Sequence, residues 1–370
     1  MSRRRSSPPR SRRARAPRPG PARWPWAVAV VLSLLVLVVL AIPNKRKGGV
    51  GRPVDVDVAA NDGDAEIVAK LEAAGVIDSS TVFSLYARSR GGVAAKPGRH
   101  LLSDDLSPVE VLRRLRRSPD AAKVRVTVPE GWHRFDIARR LKDKRVCDEA
   151  SFLAAAIDPS LMNELGLGAS AEGWLFPATY DFASDSDGAD VVRRMVAEAK
   201  ARIDKLLRQN PGGVEALKPF GMGVREAIVL ASIIEKEAVV DDERPIIASV
   251  FLNRMRTPKE TGGRLEADPT AGYGCLVSQP PPPSCVAWLS GGSTKVNAAI
   301  QHDPANRWST YTHAGLPPTP VANPGEKSIA AVLSPASTPY FYFVAKGGGR
   351  HTFSETRAAH DNAVKPVIGH

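Results

Sequence analysis

An uncharged apolar run near the amino terminus divides the chain into three parts. Residues 26–42 are seventeen residues without a charge, near the lower limit for a helix that crosses about 30 Å of hydrocarbon. Trp24 and Trp26 suit the membrane interface, where amphipathic rings collect. The run is too long for the apolar part of a signal peptide, and no small-residue cleavage site precedes Asn44. We therefore expect an uncleaved transmembrane helix over residues 24–43.

The excess of basic residues lies at the two ends of this run. Residues 1–23 hold nine arginines and no acid, and residues 45–47 add three more positive charges. These charges account for the formal net charge of +12, so residues 48–370 are neutral. This distribution disfavours a nucleic-acid binder, and it predicts a single-pass protein of the cell membrane with its amino terminus in the cytoplasm and residues 44–370 outside. The Arg- and Pro-rich tail is expected to be disordered.

The chain has three cysteines and seven histidines, which limits disulfide and metal chemistry. Cys275 and Cys285 bracket a proline-rich segment, and an oxidising exterior would allow them to pair. The sequence leaves that pairing open, and Cys147 is expected to be a buried thiol. The histidines form no HExxH motif and no CxxC exists, so we expect neither a metal nor another cofactor.

Alternating and helical patterns indicate small α/β modules over residues 54–157, after a linker over residues 44–53. Residues 54–58 and 124–128 alternate between apolar and polar side chains like strands, and a helical pattern follows each of them. The repeated strand–turn–helix pattern is typical of a structural scaffold, and it also suits a peptidoglycan-binding module of the LysM type. The pattern alone leaves both interpretations open.

The most informative pattern is a helix over residues 224–238 that is apolar nearly all round and is therefore expected to be buried. Glu237 prolongs an apolar stripe of this helix. Burial should raise the pKa of its carboxyl group, which is the property that a general acid needs near neutral pH. Glu235 is the competing candidate. Both glutamates could instead be structural, paired with Lys236, Arg244 or solvent.

Further segments along the chain complete a pattern that is similar to a known family. These segments are LASIIEKE at 230–237, ER at 243–244, ASVFLNR at 248–254, DPT at 268–270, YT at 311–312, GLPP at 315–318, NPG at 323–325 and PYFYFV at 339–344. In their order and number they resemble the endolytic murein transglycosylases, the YceG-like family, over residues 24–370.

The resemblance implies an α+β fold made of three parts. They are the N-terminal transmembrane helix, a small LysM-like α/β module within residues 54–157, and a mixed helical and β catalytic domain over residues 158–370. It also implies one essential glutamate, and Glu237 matches the helix-end position, with Ala238 where Ser or Thr is usual. Glu235 stays the second choice. The residues expected to orient the sugars are Asn253, Asp268, Thr270 and Tyr311.

The activity that the resemblance implies is endolytic cleavage of the MurNAc–GlcNAc bond within nascent peptidoglycan strands. Such a lytic transglycosylase leaves 1,6-anhydroMurNAc ends, terminates strand elongation and uses no cofactor; its partners would be the glycan strands and peptidoglycan synthases at the membrane. The alternative is a non-catalytic, membrane-anchored scaffold that binds peptidoglycan or serves cell division. A penicillin-binding transpeptidase is excluded, because no Ser-x-x-Lys occurs in the chain.

Overall fold

The computed structural model describes residues 52–117, 123–292 and 295–368. By its contacts the chain divides into two compact units, with the division after Asp120. Within the described residues, no helix combines the length and the low polarity that a bilayer crossing requires. The predicted basic tail and the predicted transmembrane helix over residues 24–43 lie outside the described part.

The first unit contains an antiparallel pair of strands packed against helices. Its elements in chain order are β1 (Pro53–Val58), α1 (Asp64–Ala73), α2 (Ser80–Ser89), β2 (Gly98–Ser103) and α3 (Pro108–Leu115). Val56 pairs with His100 in the centre of the two-stranded sheet. Because side chains alternate along a strand, Val56 and Val58 both reach the core, where Leu71 of α1 packs with them. The strand and the helix predicted for this region are confirmed.

The second unit begins with a similar arrangement. Its first elements are β3 (Lys123–Thr127), α4 (Arg134–Asp143), α5 (Glu149–Ala155), α6 (Pro159–Glu164), β4 (Thr179–Ala183) and the long helix α7 (Gly188–Gln209). Strand β3 pairs antiparallel with β4, and all these elements share one core. The boundary expected between residues 157 and 158 falls between β3 and β4, which pair with each other in this core. By its contacts the chain divides before β3, after Asp120.

The remaining elements surround one buried helix, α9 (Val224–Glu237). They are α8 (Gly213–Leu217), α10 (Arg244–Arg256), α11 (Pro258–Thr261), α12 (Asp268–Val277), α13 (Ala298–Gln301), α14 (Glu326–Leu333), β5 (Tyr342–Gly347), β6 (Arg350–Ser354) and α15 (Arg357–Ile368). Helix α9 packs against α8, α10, α12 and α14. The predicted burial of this helix is confirmed, and the described residues form an α+β fold.

Cys275 of α12 is joined to Cys285 by a disulfide bond, with 5.3 Å between the Cα atoms. Both cysteines are buried beside Ala271 and Ile300. The pairing that the sequence left open is therefore present. Cys147 is a free, buried thiol as predicted, and its burial raises the pKa of the thiol to about 12.

Candidate active site

Glu237 is the last residue of α9, and the interior of this helix is buried on every side. Residues 227–234 are eight consecutive buried positions. At the other end, the Glu226 carboxylate accepts a hydrogen bond from the backbone N–H of Gly223 over 2.9 Å, and this bond caps the start of the helix. After Glu237 the backbone becomes extended at Ala238. The helix therefore presents Glu237 at the edge of the core.

Glu237 borders a cavity of about 400 Å³. The other lining residues are Arg254, Leu265, Glu266, Asp268, Tyr311, Tyr342, Phe343, Val344, Ala345, His351, Arg357 and His360. In the described part of the chain, no group of three or more His, Cys, Asp or Glu side chains is placed to hold a metal ion. The lining combines aromatic rings with charged groups of both signs, a composition that suits a polar ligand with apolar faces, such as a sugar chain.

The carboxyl group of Glu237 has an unusually high pKa. Burial, and then the negative charge of Asp268, raise the pKa of Glu237 to about 7, while Arg254 acts in the opposite direction. The carboxyl group of Glu237 makes no hydrogen bond to any residue that the structure describes. A carboxyl group that is half protonated near neutral pH and is not held by the protein is able to donate a proton to a ligand and take one back.

Asp268 and Tyr311 meet on the cavity wall. Tyr311 Oη donates to Asp268 Oδ1 over 2.8 Å, and Gln301 Nε2 donates to the same oxygen over 2.7 Å. Asp268 is the first residue of α12. Burial, and then the hydrogen bond to Asp268, raise the pKa of Tyr311 well above its usual range, so the phenol stays protonated. Of the predicted site residues, these two lie on the same cavity as Glu237.

Asn253 and Thr270, also predicted to orient sugars, bond to the protein instead. Asn253 Nδ2 donates to the carbonyl oxygens of Thr338 and Tyr340 over 2.8 and 3.0 Å, which fixes the segment leading to β5. Thr270 is fully buried, and its hydroxyl lies 2.9 Å from that of Thr310. Neither residue lines the cavity. Their placement supports a structural role, and their contact with sugars stays a prediction.

Glu235 lies in a different environment from Glu237. Its carboxylate accepts hydrogen bonds from the backbone N–H of Gly325 over 3.0 Å and from Ser328 Oγ over 2.7 Å. Arg244 forms an ion pair with it at 3.4 Å, and both side chains are less than a tenth exposed. A carboxylate held by three partners is a structural anchor for α10 and α14 rather than a group free to exchange protons. The geometry therefore favours Glu237.

A second group of polar side chains lines the cavity and was not predicted from the sequence: Arg254, Glu266, His351, Arg357 and His360. Arg254 donates to the carbonyl oxygens of Phe341 and Leu265 over 2.7 and 2.9 Å, so it joins two walls of the cavity. Arg254 could have been found from the sequence, since it belongs to the ASVFLNR segment. That segment alone, however, does not predict that Arg254 lies beside residues about a hundred positions later.

A fully buried carboxylate outside the cavity supports the helix that presents Asp268. Glu172 accepts hydrogen bonds from the backbone N–H of Arg134 at 3.1 Å, from Tyr273 Oη at 2.9 Å and from Asn323 Nδ2 at 2.8 Å. Burial raises the pKa of Glu172 to about 7, against the opposing effect of Arg134 and the hydrogen bonds. Because Tyr273 lies on α12, this network ties α12 to the start of α4.

The chain is similar in sequence to known proteins over most of its length. The chain is 25% identical over 332 residues to an endolytic murein transglycosylase of Bacillus subtilis (strain 168), covering 85% of each protein. It is 24% identical over 329 residues to an endolytic murein transglycosylase of Streptococcus pneumoniae (strain ATCC BAA-255 / R6), covering 81% of this chain and 55% of that longer protein.

A solved structure and a family model agree with these relatives. The crystal structure of a YceG-like protein from Listeria monocytogenes superposes with a TM-score of 0.53 at 27% sequence identity, covering 85% of this chain and 99% of that one. The model of the YceG-like family matches residues 56–366. That match extends over parts of both compact units and includes every residue that lines the cavity, and the chain therefore belongs to the YceG-like family.

Proposed function

We propose that this protein is an endolytic murein transglycosylase, which cleaves the MurNAc–GlcNAc bond within peptidoglycan strands. The observation that carries this proposal is Glu237, a carboxyl group with a pKa of about 7 that borders a polar and aromatic cavity. The names of the relatives in Bacillus subtilis and Streptococcus pneumoniae support the same activity.

Glu237 would act first as an acid and then as a base. Its proton passes to the bridging oxygen as the bond from that oxygen to C1 of MurNAc breaks. The C6 hydroxyl of the same MurNAc residue then forms the new bond to C1, and its proton returns to the Glu237 carboxylate. No water is consumed, and the product carries a 1,6-anhydro ring. The attacking hydroxyl belongs to the reacting sugar, so the entropy cost of bringing in a nucleophile is avoided.

The two other acids on the cavity wall are poorly suited to hydrolysis. A hydrolase needs a second carboxylate to activate water or to attack the sugar. Asp268 is occupied by Tyr311 and Gln301. Glu266 is paired with Arg254 at 3.0 Å. These bonds support a mechanism in which Glu237 is the one group that exchanges protons, while Asp268 keeps the pKa of Glu237 high.

The first unit and the amino-terminal segment would place this activity at its substrate. The β–α–α–β order of β1, α1, α2 and β2 supports a LysM-like module that binds glycan. We infer from the charge bias that the chain crosses the cell membrane once and acts on the outer side. There it would shorten nascent strands and terminate their elongation, beside the peptidoglycan synthases that make them.

The test is to digest peptidoglycan strands with the detergent-solubilised full-length protein. We expect internal fragments with anhydro ends, identified by mass spectrometry, and no such fragments with Glu237→Gln. Glu215→Gln is the matched control, because the Glu215 side chain is 70% exposed and pairs with the exposed Lys218. Binding of strands without cleavage by the unchanged protein would favour the non-catalytic scaffold instead.

A further inference from the structure

An imidazole on the cavity wall, that of His351, is held by the carboxylate of Glu243. His351 of β6 lines the same cavity as Glu237. Glu243 lies in the short turn between α9 and α10 and is only 4% exposed. It holds His351 twice: its Oε1 accepts from the backbone N–H of His351 at 3.1 Å, and its Oε2 lies 2.7 Å from Nδ1 of the ring. One carboxylate therefore fixes both the main chain and the ring of His351.

This contact determines which nitrogen of the ring is available to a ligand. A carboxylate can only accept, so Nδ1 carries a proton and Nε2 is the ring nitrogen left for a ligand. Within the described residues, Nε2 makes no hydrogen bond. Phe343 and Phe353 pack around the imidazole, with ring centroids at 5.2 and 6.2 Å. The ring is thus held in one orientation while one polar atom stays unused.

Strands β5 and β6 form an antiparallel hairpin. The tip of this hairpin contacts the turn that follows Glu237. Arg350 donates to Asp242 over 3.0 Å and lies 3.7 Å from Glu243. Gly349 has a positive φ of 72°, and a Cβ atom there would come within 2.7 Å of Val239. The hairpin tip therefore packs directly on the segment between Glu237 and Glu243. Burying a carboxylate has an unfavourable desolvation free energy. The buried Glu243 carboxylate is used here to hold the His351 ring beside the cavity.

We propose that His351 contacts the substrate, with Nε2 accepting a hydrogen bond from a hydroxyl group of the bound glycan strand. Glu243 is the positioning residue that fixes the tautomer and the orientation of the ring. The inference rests on the proposed function, because it takes the glycan as the occupant of the cavity. If the pair only tied the hairpin to α10, the same contacts would exist, but glycan binding would leave Nε2 unchanged.

The direct test observes Nε2 by NMR in full-length Glu237→Gln protein labelled with ¹⁵N-histidine. That background is chosen so that purified glycan strands bind without being cleaved, and His351→Gln assigns the signal among the seven histidines. We expect a neutral ring with the proton on Nδ1 and a shift of the Nε2 resonance when strands are added. Strands that bind without moving the His351 Nε2 resonance would overturn the inference but leave the proposed function intact.

The kinetic test uses Glu243→Gln in the otherwise unchanged protein. An amide has one accepting oxygen, so it cannot serve both N–H groups of His351, and Nε2 becomes the protonated nitrogen. We expect KM to rise by about threefold to tenfold, the effect of one lost neutral hydrogen bond, with a smaller change in kcat. Arg350→Gln, which loosens the hairpin tip but keeps the Glu243–His351 pair, should leave KM unchanged.

The outcomes separate the two proposals. A switched tautomer with an unchanged KM in Glu243→Gln would refute the role of His351. Absence of both cleavage by the unchanged protein and strand binding by Glu237→Gln would refute the proposed function, and this inference with it. Should Glu243→Gln fail to fold, the NMR measurement decides the question, since it keeps Glu243 in place.

Discussion

Asp268 raises the pKa of Glu237, and only burial has a larger effect on that carboxyl group. The two acids differ in their surroundings: Asp268 accepts hydrogen bonds from Tyr311 and Gln301, whereas Glu237 has no such partner in the described structure. Asp268 is therefore held by hydrogen bonds, and its negative charge raises the pKa of Glu237, which is not so held. Pairs of acids with such divergent environments are a common basis for acid–base chemistry.

Asp268→Asn should move the alkaline limb of the pH–activity profile to lower pH. The amide removes the negative charge that disfavours ionisation of Glu237, so the acid loses its proton earlier, by on the order of one pH unit. The measurement is kcat/KM against pH, with Asp204→Asn on the exposed side of α7 as the control. An alkaline limb that stays in place would show that Asp268 does not act on Glu237 by its charge.

Glu237→Gln should make the protein more stable above neutral pH. The folded state raises the pKa of Glu237 from 4.5 to about 7, so the protonated form is favoured by folding. That contribution is fully present below about pH 4.5 and is lost as the pH rises through about 7, which amounts to about 3 kcal/mol.

Denaturant unfolding at about pH 4.5 and about pH 8 checks this expectation. The difference in the free energy of unfolding between Glu237→Gln and the unchanged protein should grow in favour of the variant over that interval. The raised pKa of Glu172 is common to both proteins and cancels. Parallel stability curves would mean that Glu237 is solvated.

Cleavage in oxygen-18 water should leave the new ends unlabelled. The proposed reaction closes the C6 hydroxyl onto C1 and uses no water, so the product keeps only oxygen atoms of the strand. Mass spectrometry of the released fragments decides it, with a muramidase digest as the labelled control. Label at the new MurNAc end would mean hydrolysis, and Asp268 or Glu266 would then need a second catalytic role.

Loss of the disulfide between Cys275 and Cys285 should destabilise the second unit. The bond closes a segment with a sequence separation of 10, and loop-closure entropy gives such a bond about 2–3 kcal/mol. Cys275→Ser and Cys285→Ser should each lower the free energy of unfolding by that amount, while Cys147→Ser reports on an unpaired buried thiol. Non-reducing peptide mapping of the unchanged protein should recover the cross-linked peptide; two free thiols would contradict the pairing.

The proposed topology predicts the compartments of two reporter fusions. A reporter placed before residue 24 should stay cytoplasmic, and one placed after residue 370 should be exported, because nine positive charges precede the apolar run and three follow it. Replacing the arginines of the tail by glutamine tests whether this difference in charge sets the orientation. Cytoplasmic activity of the carboxyl-terminal reporter would separate the protein from its proposed substrate.

The sequence predicted those features that depend on residues close together along the chain. The burial of α9 and the position of Glu237 at its end follow from a helical period over fourteen residues. The strand that begins near Val54 follows from simple alternation. Asp268 and Tyr311 belonged to the matching segments of the family, although their hydrogen bond joins residues separated by 43 positions.

The rest depends on contacts that no local pattern encodes. Asn253 was predicted to contact sugar because it is polar, but a helix residue can equally satisfy a distant carbonyl, and here that carbonyl is 85 positions away. The partnership of Glu243 with His351 spans 108 positions. The pairing of β3 with β4 crosses the boundary expected after residue 157.

The Glu172 network bears on how this protein can be divided and recombined. Arg134, Tyr273 and Asn323 come from three separate stretches of the chain, and each satisfies part of the buried Glu172 carboxylate. A fragment that began at residue 158 would keep Glu172 but lose Arg134, leaving a buried acid with its cation removed. Chimeras between family members should therefore exchange residues 123–368 as one segment. With a junction inside that segment, Glu172 and its hydrogen-bond partners would have to come from the same parent.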